Sequence, residues 1–470
     1  MQINYINLKQ QAMKRINSKF KWFSLWSALI ASITGLTMTN AVSQETEAQE
    51  EVAPGNTAAW AGVTSKHGNS HMSIGGVLFP NLHAVAAYGH SSAKQSSLAV
   101  NDHDPQDDWT IQGLEPSLSL RAGMLQGFVN GTGITDADGD FSFGLEEGFL
   151  KLIDLPLGLE LRGGQYLNRF GFQNSIHNHG WFNVDQNLVN GRFLNEGELM
   201  TQGGELSWNV PLQSMQASVL SASFGRAEVH EHGHHGEEHG EEAEFEAEGA
   251  NFSDDLFTIA WLNQYDVDDM NRYQGVLSAA WGDNGYGRNT EVYGAGLEYL
   301  WRENGYAAGG KSIRWRNEIM YRNVDAVSGH LPGEEEHHDD HDDHDDHDDH
   351  DDHDDHDDHD DHDDHDDHGD EHHDEDESIR DSFGEVGLYS SVVYGINDQL
   401  EAGLRAGWVS GISEAGLDER LRLSPSLTWY NEDRTMQARV QYNWDHSDDF
   451  GDEHSIWFQL GLNFGGPEVR

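Results

Sequence analysis

Leu400-Glu401-Ala402-Gly403-Leu404-Arg405-Ala406-Gly407-Trp408 places an apolar side chain at every second position, with a charge or a glycine between. A period of two sends successive side chains to opposite faces of a strand, so this segment has one apolar face ending in an aromatic ring and one carrying Glu401 and Arg405. The pattern recurs along the chain. Leu421, Leu423, Leu427 and Trp429 alternate with Arg420, Arg422, Ser424, Ser426 and Thr428, and Val440, Tyr442 and Trp444 with Arg439, Gln441 and Asn443. Ile313, Trp315, Ile319 and Tyr321 stand opposite Arg314, Arg316, Glu318 and Arg322. A soluble sandwich alternates in the same way with its polar face in water, so the connections must separate the two possibilities.

Strands are predicted near 116–128, 142–154, 158–170, 200–210, 216–226, 254–266, 272–282, 290–301, 312–324, 384–394, 400–410, 419–430, 435–445 and 454–464. Each is about as long as the 9–11 residues a tilted strand needs to cross a bilayer. Every second connection is then tight or modest, and the intervening ones include all the long ones, Gly171 to Leu199, Ala227 to Ser253 and Asp325 to Phe383. Short turns on one rim and long loops on the other are how outer-membrane barrels are built. The fold class is therefore all-β, a transmembrane antiparallel β-barrel of about 14 strands over residues 116–470. It becomes 16 if residues 71–90 add a hairpin, Met72–Phe79 and Leu82–Tyr88 about Pro80-Asn81, within an N-terminal lead-in or cap at 44–115. Gln459-Leu460-Gly461-Leu462-Asn463-Phe464 resembles a barrel-assembly signal, with six residues following it.

At the start of the chain, Lys14, Arg15, Lys19 and Lys21 precede an apolar run from Trp22 to about Met38 and then Ala41-Val42-Ser43, which reads as a secretory signal peptide over residues 1–43. Export places the barrel in the outer membrane of a Gram-negative cell. No later segment has the apolar length of a membrane helix. The chain has no cysteine, which excludes disulfide staples, thiolate metal sites and thiol chemistry.

The formal charge is −57, and it is concentrated. Residues 329–377 carry 29 of the 84 acidic side chains and 15 of the 29 histidines, and residues 228–248 carry nine acids and five histidines, with no lysine or arginine in either span. Such a chain repels nucleic acid and anionic surfaces and favours cationic partners. Between His338 and His368 the repeat is Asp-Asp-His without interruption, giving His338, His341, His344, His347, His350, His353, His356, His359, His362, His365 and His368. With nothing apolar to bury, the exterior loops 227–253 and 325–383 are expected to be solvated and without a fold of their own. Imidazole with carboxylate is the ligand set of zinc, nickel and copper, whereas calcium and magnesium would use the carboxylates alone. In an extended segment with three residues per turn the histidines lie about 9 Å apart on one side, too far for two to share an ion without a kink. Many weak sites are expected, a brush that concentrates metal. His230, His232, His234, His235 and His239 repeat the composition in the second loop. His177 and His179, with Asp185, form a third candidate cluster.

The segment Leu159-Glu160-Leu161-Arg162-Gly163-Gly164-Gln165-Tyr166-Leu167-Asn168-Arg169-Phe170-Gly171, followed by Ile176-His177-Asn178-His179-Gly180-Trp181 and Val184-Asp185-Gln186-Asn187-Leu188-Val189-Asn190-Gly191-Arg192, resembles porin-type outer-membrane proteins of the phosphate-selective kind. The resemblance implies a passive diffusion channel, a homotrimer, and a long loop such as Gly171 to Leu199 folded inward as a constriction. Phosphate selectivity is not carried over, because no lysine cluster lines a comparable loop. The chain also resembles histidine-rich outer-membrane proteins linked to zinc supply. Some of those are labelled TonB-dependent receptors, yet a full plug domain would not fit before Pro116.

Arg162, Arg314, Arg316, Arg405 and Arg439 fall on the lumen face, where they line the pore or pair across strands with Glu160, Glu318 and Glu401. No Gly-x-Ser-x-Gly elbow and no Ser/His/Asp constellation appears, so an enzyme is not the expectation. The expected function is an outer-membrane pore whose loops bind divalent transition metals, zinc foremost, and feed small solutes or ions to its mouth. The rival is a non-conducting metal-binding or adhesion barrel. No cofactor is required, and outer-membrane lipid is the surrounding partner.

Overall fold

Alternation decides where each side chain goes, and the structure shows which face is which. On the strand Arg420–Tyr430, Arg422, Ser424 and Thr428 are 1%, 0% and 4% exposed, while Leu423, Leu427 and Trp429 between them are 37%, 49% and 45% exposed. A soluble protein would show the reverse. Leaving one Leu side chain in water forgoes about 1.5–3 kcal/mol, and this outward apolar face continues around the whole barrel, through Leu150, Leu161, Leu206, Phe224, Leu277, Leu297, Ile319, Leu404, Val440 and Ile456. Only a hydrocarbon surround makes that surface stable.

The computed structural model describes residues 72–73, 77–93, 98–136, 139–227, 247–307, 310–327, 380–412, 417–465 and 468. A two-residue bridge, β1 (Met72–Ser73), pairs with β2 (Val77–Ser91). There follow β3 (Asp108–Ala122), β4 (Leu125–Thr135), β5 (Phe141–Leu155), β6 (Leu159–Leu167), β7 (Met200–Asn209), β8 (Ala217–Ala227), β9 (Phe252–Asp266) and β10 (Asn271–Asn284). The second half is β11 (Asn289–Arg302), β12 (Ser312–Val327), β13 (Arg380–Gly395), β14 (Leu400–Val409), β15 (Arg420–Tyr430), β16 (Met436–Ser447) and β17 (Gly451–Gly465). Each strand pairs antiparallel with its sequence neighbour, and β17 closes on β2 from Ser455↔Ser91 to Gly465↔Asn81. The result is a closed antiparallel barrel of 16 strands, β2 to β17, in which no long edge is left unpaired and the backbone bonds of the wall are internal. Trp208, Tyr273, Trp315, Tyr394 and Trp429 stand outward near the short-turn rim, and Tyr88, Trp109, Tyr293 and Tyr321 near the long-loop rim. Such aromatic girdles mark the two interfaces of a membrane barrel.

The count of 16 is met by a different set of strands from the one expected. The chain makes no turn at Pro80-Asn81, because Pro80 and Asn81 lie inside β2, opposite Leu118 and Ser117. The barrel wall thus begins at Val77 within the expected lead-in, not at Pro116. The single strand expected at 116–128 is instead two, β3 and β4, joined by Gly123-Met124, where Gly123 takes φ 60 and Ala122 pairs with Leu125. A left-handed glycine reverses the chain there without Pro, Asn or Asp to advertise it. The signal-peptide segment and the histidine repeats lie outside the described residues.

Candidate functional site

The connection from β6 to β7, residues 168–199, turns into the barrel. It carries a short helix, α1 (Leu188–Phe193), and buries Leu188, Val189, Phe193, Leu194 and Leu199 against Phe252, Leu256, Val292, Met320 and Tyr389 of the wall. Gly171 opens this inward path. At φ +60, an added Cβ would lie 2.2 Å from the Glu318 carboxylate that accepts the Phe172 amide at 2.7 Å. Part of a second connection, residues 98–107, lies against it: Asp104 accepts from the Gln186 amide at 2.7 Å, and Asn101 donates to the Glu196 carbonyl at 2.7 Å.

One wall holds this insert with arginines. Asp185 receives Arg405 at 2.6 Å, Arg422 at 2.8 Å, Gln441 at 2.6 Å and Asn443 at 2.9 Å. Arg405 also donates to the Asp185 carbonyl at 2.8 Å, and Arg439 to the carbonyls of Asn183 and Trp181, both at 2.9 Å. Arg322 donates to the Arg192 carbonyl at 2.6 Å and pairs with Glu385 at 2.7 Å. Period two on β14, β15 and β16 puts these side chains on one inner face. Burial works to raise the Asp185 carboxyl, but Arg405 and Arg422 override it and hold it below the usual carboxylate range. Burial, with Asp185 nearby, pushes Asp104 up to about 7.

The opposite wall holds the insert with histidine and glutamate. His177 is buried, with Nε2 2.8 Å from Glu147 and Nδ1 3.6 Å from Glu115, and Asn130 bonds its Nδ1 at 3.2 Å. His179 Nδ1 meets the same Glu115 oxygen, and its ring stacks on His83 at 3.7 Å between centroids. His83 Nε2 lies 3.3 Å from Glu468, and His103 Nε2 lies 3.1 Å from Glu198. Two β-bulges build this wall. Between Asn130 and Gly131 of β4 the register skips Glu146, so the adjacent Glu146 and Glu147 are both buried inward. Between Val85 and Ala86 it skips Gln112, which donates to the carbonyls of Val184 and His103, each at 2.7 Å. Burial would lower the His103 imidazole, but Glu198 overrides it and holds the group up at about 10; burial, reinforced by His83, pushes His179 down to about 4.

The five arginines singled out from sequence are all directed inward, but not to the expected partners. Arg162 pairs with Glu205, its cross-strand neighbour on β7, at 2.6 Å while Lys151 takes Glu160 at 3.0 Å, and Arg316 pairs with Glu298 at 2.7 Å. Arg405 goes to Asp185 rather than Glu401, which meets Arg434 at 3.2 Å. Arg439 bonds Gln459 and loop carbonyls, and Arg314 lies over the Phe182 ring at 4.7 Å. Arg162, Arg316, Arg405 and Arg439 are buried, so they clamp the insert and wall rather than facing open water. The expected cluster of His177, His179 and Asp185 is split, since Asp185 belongs to the arginine wall and Glu115 takes its place. His83, His103, Glu115, Glu146 and Glu147 went unassigned in the sequence. Glu146-Glu147, two like charges side by side in an alternating strand, was the one signal pointing to them. His338 to His368 and His230 to His239 lie outside the described residues.

No protein-family model matches the chain, and neither does any curated protein. Among solved structures, an anion-selective porin from Comamonas acidovorans aligns over 82% of this chain and 98% of its own at 8% identity and TM-score 0.45. The outer-membrane channel DcaP of Acinetobacter baumannii aligns over 86% and 100% at 10% identity and TM-score 0.46. The trimer form of OmpT from Vibrio cholerae aligns over 82% and 98% at 8% identity and TM-score 0.42. The assignment as an outer-membrane-type β-barrel rests on the closed sheet and its inside-out burial, where wall, girdles and insert agree.

Proposed function

We propose that the protein is an outer-membrane channel for small hydrophilic solutes and divalent transition-metal ions, with residues 168–199 as its constriction. The observation that carries this reading is the insert itself, a loop bonded across the lumen from Ser278 and Glu318 on one side to Asp185's partners on β14 to β16 and to Glu115 on β3. A barrel needing only a scaffold has no use for a polar crosspiece held at this many points. The histidine- and aspartate-rich spans add the cargo: they sit between β8 and β9 and between β12 and β13, both on the rim of long connections. In the usual orientation that rim faces the exterior. Zinc is the expected ion, because borderline-soft imidazole nitrogens select it over calcium.

The test is single-channel recording in planar bilayers. Discrete conductance steps, with a reversal potential that moves toward the zinc equilibrium potential under a zinc gradient, are expected. Absence of steps from protein that remains heat-modifiable on gels would favour the non-conducting, metal-binding barrel. Replacing the repeat histidines by asparagine should remove most weakly bound zinc and leave the steps unchanged; undiminished zinc would show that the repeats are only an acidic solvated loop.

A further inference from the structure

We propose that Glu115 of β3 and His177 and His179 of the inward loop form a luminal site for one divalent transition-metal ion of the zinc class, tying the constriction to the wall. One ligand atom from each of the three lies within 4.8 Å of the others. Glu115 Oε2 is 3.6 Å from His177 Nδ1 and in contact with His179 Nδ1. Ligands bonded at 2.0–2.1 Å around a tetrahedral ion stand about 3.3 Å apart, so small rotations of these side chains suffice.

The surroundings are built for metal rather than for a plain ion pair. His177 Nε2 faces Glu147 at 2.8 Å, which puts the proton on Nε2; its Nδ1 then accepts from the Asn130 amide at 3.2 Å and lies 3.6 Å from Glu115, so an ion would take this lone pair over from the Asn130 N–H. A carboxylate that orients a ligating imidazole through its other nitrogen is the usual support of a metal site. Glu115 is 1% exposed, and its Oε1 has no hydrogen-bond partner. That oxygen lies 2.8 Å from where a Cβ on Gly113 would be, so a glycine leaves it room. A buried carboxylate oxygen without a partner is costly unless something compensates it, and a cation bound by Glu115 would do so. The two histidines exclude magnesium and calcium as preferred occupants. His83 and Glu468, which form a second group within 4.8 Å together with His179, flank the site on the β2 side. Four imidazoles and five carboxylates thus converge where β2, β3 and β5 meet the insert. A role in uptake rests on the channel reading above; binding does not.

The experiment uses the full-length chain in detergent with the repeat histidines and those of residues 230–239 replaced by asparagine, titrated with Co2+. One saturable equivalent is expected, with the intense visible bands of low coordination number, displaced by one equivalent of Zn2+. Glu115→Gln, His177→Asn and His179→Asn should each weaken it at least tenfold while the protein stays heat-modifiable. If a variant fails to fold, X-ray absorption at the zinc edge of the parent decides: imidazole scattering from two ligands supports the site, and an all-oxygen shell overturns it. No saturable equivalent, or one indifferent to all three substitutions, also overturns it. Loss of the brush histidines is already complete in this chain, so failure of the loop reading and failure of the luminal site are seen separately.

Discussion

The two halves of the lumen hold the same loop by different chemistry. On β14 to β16, guanidinium forks close on Asp185 and on loop carbonyls, so the carboxylate has four donors and the charges are matched. On β2, β3 and β5, imidazoles face carboxylates, with Glu115 Oε1 lacking a hydrogen-bond partner and His83 Nε2 3.3 Å from Glu468. Arginine keeps its charge at any physiological pH, whereas histidine can lose its proton or exchange it for a metal. One wall is therefore a permanent clamp and the other a conditional one. A constriction hinged on the first and fastened by the second could respond to zinc without losing its place.

The largest effect should come from the permanent clamp. Asp185→Ala strips Arg405 of its carboxylate and leaves two buried guanidiniums under-compensated, which costs about 3–5 kcal/mol. The temperature at which the barrel becomes heat-denatured on gels should drop markedly; an unchanged temperature would mean that the insert contributes little to stability. Next is Gly171→Ala, which places a side chain at φ +60 against Glu318 and costs about 1–3 kcal/mol. Proteolysis of the loop should become faster, and parental resistance would show that the inward path does not depend on this turn. The conditional clamp should respond less in metal-free buffer: Glu115→Gln removes one buried partner of His177 and His179 and should shift the transition by only a few degrees. Added zinc should then stabilise the parent and not the variant. Equal stabilisation of both would remove the contrast between the walls.

The last effect is a pH dependence. His103 faces Glu198, Glu146 and the Gln112 carbonyl, and its folded value of about 10 lies above the ordinary 6.5. The folded state binds the proton more tightly, so this contribution is full below pH 6.5 and is lost as pH rises through about 10. Thermal resistance should decline over that window and decline less in His103→Gln.

How much of this was legible can be read from particular residues. The outward Leu and Trp and inward Arg of β15 and β16 follow from period two, because in a thin wall each residue has only two places to point. β2 and β4 were hidden. Pro80 reads as a turn yet is tolerated in the strand, and Leu125-Gln126-Gly127-Phe128-Val129-Asn130-Gly131-Thr132-Gly133 has glycines where alternation would show. The pairings were hidden for another reason. Which carboxylate Arg162 or Arg405 meets depends on register and on where a loop folds 20 or more residues away, and no local pattern encodes that. Bulges at Glu146 and Gln112 break the very period that made the rest readable, and they do so at the site.

The most direct measurement is the single-channel conductance of Asp185→Ala beside the parent in the same bilayer. If residues 168–199 form a constriction clamped by Arg405 and Arg422, the variant should show larger and noisier steps as the loop leaves the lumen. Steps of the parental size and noise would contradict the account, because the loop would then not limit the pore.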